Sequence, residues 1–76
     1  MPRYYFHIQA HDDQMIEDSE GSDLPDDATA LEEAIASAHD MAADAARSGR
    51  HADKSIVVTN GDGNVLHTIS VRTVIH

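Results

Sequence analysis

Seventy-six residues allow one domain, expected to span residues 1–76, and a chain this short buries only about 60–65% of its unfolded surface. Fourteen acidic against five basic residues give a formal charge of −9, which works against nucleic acid or an anionic membrane as a partner. No segment is apolar for long enough to span a membrane, the opening Met1 to His7 has no apolar stretch of signal-peptide length, and the absence of Cys fits a reducing cytoplasm.

Arg3 to Gln9 alternates, with Tyr4, Phe6 and Ile8 on one face and Tyr5, His7 and Gln9 on the other. Aromatics and Ile at period two predict a half-buried strand. His11 to Gln14 reads as a polar turn, and Met15 to Glu17 as a short strand returning along the first. Asp18 to Asp23 is an acidic loop. Leu24, just ahead of a helix cap, is placed to pack on the first helical turn.

Asp26 to Gly49 predicts one long helix. Leu31, Ile35, Ala38, Ala42 and Ala45 recur at steps of four and three, and Ala28, Ala34 and Met41 widen that stripe. Asp26 is placed as N-cap, and Gly49 suits the left-handed residue beyond the last turn. Acidic residues gather at the positive end of the helix dipole, and Arg47, Arg50 and His51 at the negative end. The stripe is mostly alanine, so the bulky part of the core must come from the strands.

Arg50 to Lys54 reads as a linker and Ser55 to Thr59 as a β-branched strand. Asn60 to Asn64 is a turn, with two glycines that supply positive φ cheaply. Val65 to Val71 is the last strand. Its apolar count places Val65, His67, Ile69 and Val71 inward and Leu66, Thr68 and Ser70 outward. The expected fold is α+β in the order ββαββ: an antiparallel sheet of two hairpins with one long helix packed on one face. Tyr5, Val57 and Leu66 would then form an apolar patch on the uncovered face, with Val74 and Ile75 of the tail as additions.

No cluster carries decisive chemistry. His7 and His11 stand beside Asp12 and Asp13, an acceptable donor set for a divalent ion. Four residues along a strand, however, are roughly 13 Å apart. His67 would join His7 if their strands were neighbours. Asn60-x-Asp62-x-Asn64 has the spacing of a calcium loop, but Val71 stands at its twelfth position and no glycine at its sixth. The loop carboxylates read as solvated, and neither a phosphate loop nor a nucleophile elbow is present. The sequence therefore points to no cofactor, no metal site and no enzymatic activity. Protonating all six His would carry the charge from −9 to −3, so self-repulsion eases as pH falls toward ~6.

The opening Met1-Pro2-Arg3-Tyr4-Tyr5-Phe6-His7, the Asp18-x-Glu20-Gly21 turn, Leu24-Pro25-Asp26, the alanine-rich helix ending Ser48-Gly49, and Val58-Thr59-x-x-Asp62-Gly63-x-Val65-Leu66 together resemble a family of short proteobacterial proteins of unknown function. Its members typically open Met-Pro-Arg-Tyr-Phe-Phe-His. The resemblance implies a stand-alone bacterial cytoplasmic domain and brings no activity and no functional residues. A looser likeness, at the level of fold, is to the antitoxin half of bacterial toxin–antitoxin pairs. The leading expectation is a non-enzymatic binding or regulatory module, homo-oligomeric through Tyr5, Val57, Leu66, Val74 and Ile75 or through an edge strand. The alternatives are an antitoxin-like partner of a basic protein and a small His-dependent metal-binding protein.

Overall fold

The alternation that begins at Arg3 makes a strand long enough to hold partners on both sides. The computed structural model describes residues 2–10, 14–49 and 53–72. Strand β1 (Arg3–Ala10) is followed by two short strands, β2 (Met15–Ile16) and β3 (Ser22–Asp23), then helix α1 (Asp27–Arg47), β4 (Asp53–Asn60) and β5 (Val65–Arg72). The five strands form one sheet in the order β2-β1-β4-β5, with β3 also beside β1. Every pairing is antiparallel. The α+β fold with one helix on an antiparallel sheet is as expected. Two details differ: the acidic loop contains β3, and Asp53 and Lys54 of the expected linker already belong to β4.

The helix ends follow from local chemistry. Asp26 is extended (φ −160°), and its side chain accepts from the Thr29 backbone N–H and hydroxyl at 2.8 Å each. At the far end the Ser48 and Gly49 N–H groups bond back to the Asp44 and Ala46 carbonyls. Gly49 takes φ +68°, a conformation that costs other L-residues about 1–2 kcal/mol. Arg47 pairs with Asp44 one turn earlier.

The core lies between α1 and the sheet. Ile56, Val58 and Val71 are the largest fully buried side chains, and Tyr4, Ala30, Ala34 and Ala38 join them. Alanine on the helix side lets α1 lie close over β4 and β5. The buried stripe is Ala30, Ala34, Ala38 and Ala45, whereas Ile35 is 41% exposed. Of the expected stripe, Ala34, Ala38 and Ala45 are buried and Met41 and Ala42 pack against the core, but Ile35 and Ala28 are exposed, so the stripe is rotated toward its smaller residues. The physical reason is close approach: the strands supply bulk, and the helix face without bulk fits against them.

Strand β5 also departs from simple alternation. The β4–β5 register shifts between Val58 and Thr59, where Val58 faces His67 but Thr59 faces Val65. The extra residue is Leu66, and such a bulge interrupts the alternation, so Val65 takes the face opposite to His67, Ile69 and Val71. Leu66 therefore packs against the core, while Val65, expected inward, is 62% exposed.

Candidate functional site

The face of the sheet opposite α1 carries Tyr5 and His7 from β1 and Val57 and Thr59 from β4, with Tyr5 beside Thr59 and His7 beside Val57. Among the described residues no helix covers this face, yet Val57 is only 7% and Thr59 only 6% exposed. Two rings lie over them. Tyr5 and His7 are two apart on the strand, so they point the same way, and their planes are within 4° with centroids 6.3 Å apart.

The loop between β2 and β3 completes the cluster. β2 pairs with Ile8 and Gln9, and β3 pairs with Arg3 and Tyr4. The stretch of β1 between them has no strand on its outer side, and Asp18 takes that place. Its carboxylate accepts from the Phe6 backbone N–H at 3.2 Å, and also from those of Glu20 (3.2 Å) and Gly21 (3.1 Å). Partial burial pushes the Asp18 carboxyl up, but the bonds from Gly21, Phe6 and Glu20 outweigh it and hold the group below its usual range. The Asp18 N–H in turn donates to His7 Nδ1 at 3.0 Å.

That bond fixes the histidine tautomer. Nδ1 accepts, so Nε2 carries the proton and faces the Thr59 hydroxyl oxygen at 3.3 Å. Gly21 lies so close that an added Cβ would sit 2.9 Å from both Arg3 Cγ and Tyr5 Cε1, and it holds φ +73°. The loop is closed at its end by Arg3, which donates to Asp23 at 3.0 Å and to the Glu20 carbonyl. Arg3 holds Asp23 below the ordinary carboxylate range.

A hydroxyl, an imidazole and a carboxylate in one cluster invite comparison with nucleophilic catalysis, where the carboxylate accepts a hydrogen bond from the histidine Nδ1–H and the unprotonated Nε2 is free to take the hydroxyl proton. Here Nδ1 accepts from a backbone N–H, Nε2 carries the proton, and the carboxylate accepts from three backbone amides instead of from the histidine. The arrangement latches a loop onto a strand.

A second polar contact sits on the helix side. The Tyr4 hydroxyl donates to Asp27 at 2.6 Å. That bond, reinforced by burial, pushes the phenol up to about 12.

The residues singled out in the sequence are dispersed. Tyr5 is half-buried on the open face, Val57 is buried on it, and Leu66 is not on it at all. Val74, Ile75 and His11 lie outside the described residues. His7 and His67 are not neighbours: β4 runs between their strands, and their partners Val57 and Val58 lie on opposite faces. Among the described residues, no group of three or more His, Cys, Asp or Glu is placed to hold a metal ion, and no helix is long and apolar enough to cross a membrane. The role of Asp18 was missed. Its one sequence signal was the Asp18-x-x-Gly21 spacing, which suits an Asx-type turn; nothing local links it to His7.

A family model for a domain of unknown function, DUF6894, matches residues 3–72. The chain belongs to the DUF6894 family. The match runs from Arg3 at the start of β1 to Arg72 at the end of β5, so it includes every element of the sheet and the helix. That agrees with the expected resemblance to a family of unknown function. No curated protein and no solved structure matches the chain.

Proposed function

We propose that this DUF6894 domain is a non-enzymatic protein-binding or regulatory module of bacterial cytoplasm that self-associates, and that the element it uses is the edge strand β5. The observation that carries this reading is the unequal treatment of the two sheet edges. On the β1 side the edge is broken into two two-residue strands, with Asp18 filling the gap between them. Short strands are a common means of preventing further pairing. β5 is eight residues long, contains no Pro, Asp or Glu, and among the described residues has no strand on its outer side. A strand of that length with open N–H and C=O groups is a template for another strand. The open face is a weaker candidate, because Val57 and Leu66 are already packed.

The test is molar mass by light scattering on untagged protein, with Thr68→Lys as the variant. Thr68 is exposed on β5, and lysine on an edge strand opposes pairing. A dimer for the native chain and a monomer of equal helix content for the variant are expected. A native monomer at every concentration overturns the reading.

A second reading, an antitoxin-like partner of a basic protein, draws support from the acidic flank of α1, with Glu33, Asp40 and Asp44 exposed, in a chain of charge −9. Salt-sensitive co-purification of a basic protein from the native host is its test, and recovery of the chain alone would dispose of it.

A further inference from the structure

The helix is amphipathic in a second direction. At about 100° per residue, the buried stripe of Ala30, Ala34, Ala38 and Ala45 has flanks of different kinds. One flank carries Ala28, Leu31 and Ile35; the other carries Glu33, Ser37, Asp40 and Asp44. Ile35 is the large side chain left exposed on the first flank.

Topology decides which flank faces which edge. β3 and β4 both run antiparallel to β1, so they run in the same direction and α1 crosses between them. Crossovers joining parallel strands are right-handed. In that hand, the winding of α1 turns Ala28, Leu31 and Ile35 toward β5 and turns the acidic flank back over β1.

The levels match as well. The Tyr4–Asp27 bond fixes the start of α1 at the Tyr4–Asn60 end of the sheet, where β5 begins beside Thr59. From there Ile35 lies about 12 Å along the helix. The midpoint of β5, between Thr68 and Ile69, lies about 12 Å along the strand. Antiparallel pairing of β5 with its own copy puts a twofold axis beside that midpoint, about 2.4 Å outside the strand. With α1 lying over β4 and β5, the two helix axes are then about 10 Å apart, near the ~8–10 Å at which helices pack.

We infer that the partner of β5 is a second copy of this chain, joined strand to strand, with Ile35 and Leu31 of each copy meeting in a helix–helix seam across the twofold axis. The inference rests on the β5 reading above and adds to it the helix–helix seam. Charge favours it over other self-pairings: β5 carries no acidic residue, and the acidic flanks of both helices point away from the axis, which matters for a chain of −9. The contact is self-complementary, as a twofold interface requires.

Three measurements separate self-association, strand pairing and the helix seam. Light scattering gives the mass, amide hydrogen exchange reports whether alternate β5 N–H groups that point away from β4 are protected, and Ile35 variants probe the seam. The expected results are a dimer, slow exchange of those amides, and a dissociation constant raised at least tenfold by Ile35→Glu. Ile35→Cys, the sole thiol in a chain without Cys, should link to itself on oxidation, while Ser37→Cys on the acidic flank should not. A monomer overturns self-association altogether. A dimer with fast β5 amides overturns the strand pairing. A dimer with slow β5 amides that neither weakens with Ile35→Glu nor links through Ile35→Cys overturns the seam alone and leaves the β5 reading standing. Helix content by circular dichroism confirms that each variant is folded.

Discussion

On the helix side of the sheet, Ile56, Val58 and Val71 are 0–1% exposed beneath a stripe of alanines, while on the other side Val57 and Thr59 reach 6–7% exposure with no helix above them. The first face is closed by apolar contact with a regular element. The second is closed by two rings and by a loop held through His7, Asp18, Gly21 and Arg3. Apolar burial is non-directional and scales with area, so it tolerates small displacements. The loop side depends on aligned donors and acceptors, each of which leaves a partner unsatisfied when removed. One sheet thus has one face stabilised by packing and one by hydrogen-bond geometry, and the two should fail differently.

The largest effect should come from the packed face. Ile56→Ala removes a fully buried side chain beneath α1 and is expected to cost about 2–5 kcal/mol, read as a lowered urea midpoint with loss of both helix and sheet signals together. On the loop side, Asp18→Ala leaves three backbone N–H groups without their acceptor and should cost about 1–3 kcal/mol. Its signature is local: amide exchange at Phe6, Glu20 and Gly21 should speed up more than at Val58.

The same carboxylate sets a pH dependence whose sign can be stated. Asp18 is held below its usual range in the folded chain, so the folded state binds fewer protons than the unfolded one near the ordinary carboxylate pKa of about 3.9. Its contribution is present above that pH and is lost as pH falls through the folded value. Asp23 and Asp26 act in the same direction. Thermal melts from pH 3 to 7 should therefore show an acid limb, and Asp18→Asn should flatten it.

Gly21→Ala tests the close approach of loop to strand. A left-handed residue costs a non-glycine about 1–2 kcal/mol, and the added Cβ meets Tyr5 and Arg3; the stability loss should be accompanied by a change in the Tyr5 and His7 ring signals in NMR spectra. The smallest effect at neutral pH is expected of Tyr4→Phe. The Tyr4 phenol is raised to about 12 in the folded chain, so its contribution is full below its unfolded pKa of about 10 and drains as pH rises through 12. Tyr4→Phe should remove that alkaline limb, whereas Asp18→Asn should leave it intact. The Asp18 and Tyr4 contributions would then be separated by pH, one lost on the acid side and the other on the alkaline side.

How much of this was legible beforehand follows the range of the forces involved. The α1 boundaries could be read because Asp26, Arg47 and Gly49 act within one turn. The strands of Tyr4, Phe6 and Ile8 and of Ile56 and Val58 could be read because period two is local. The Asn60–Asn64 turn could be read from its glycines, and Gly63 does take positive φ. The candidate interface was legible only in part: Tyr5 is on the open face, but Leu66 is not, because the bulge opposite Thr59 depends on cross-strand register.

By itself, then, the sequence determined the helix, the two long hairpin strands after it, the strand of Tyr4, Phe6 and Ile8 and the α+β class, but not β3, since amphipathic period, capping and turn chemistry are encoded within a few residues. Tertiary structure alone decided four things: that α1 presents Ala34 rather than Ile35 to the sheet, that β4 separates His7 from His67, that Asp18 replaces a strand beside Phe6, and that β5 is left as the long edge. Each rests on how distant segments meet, where close packing and hydrogen-bond satisfaction select one of several arrangements that local preference leaves equal.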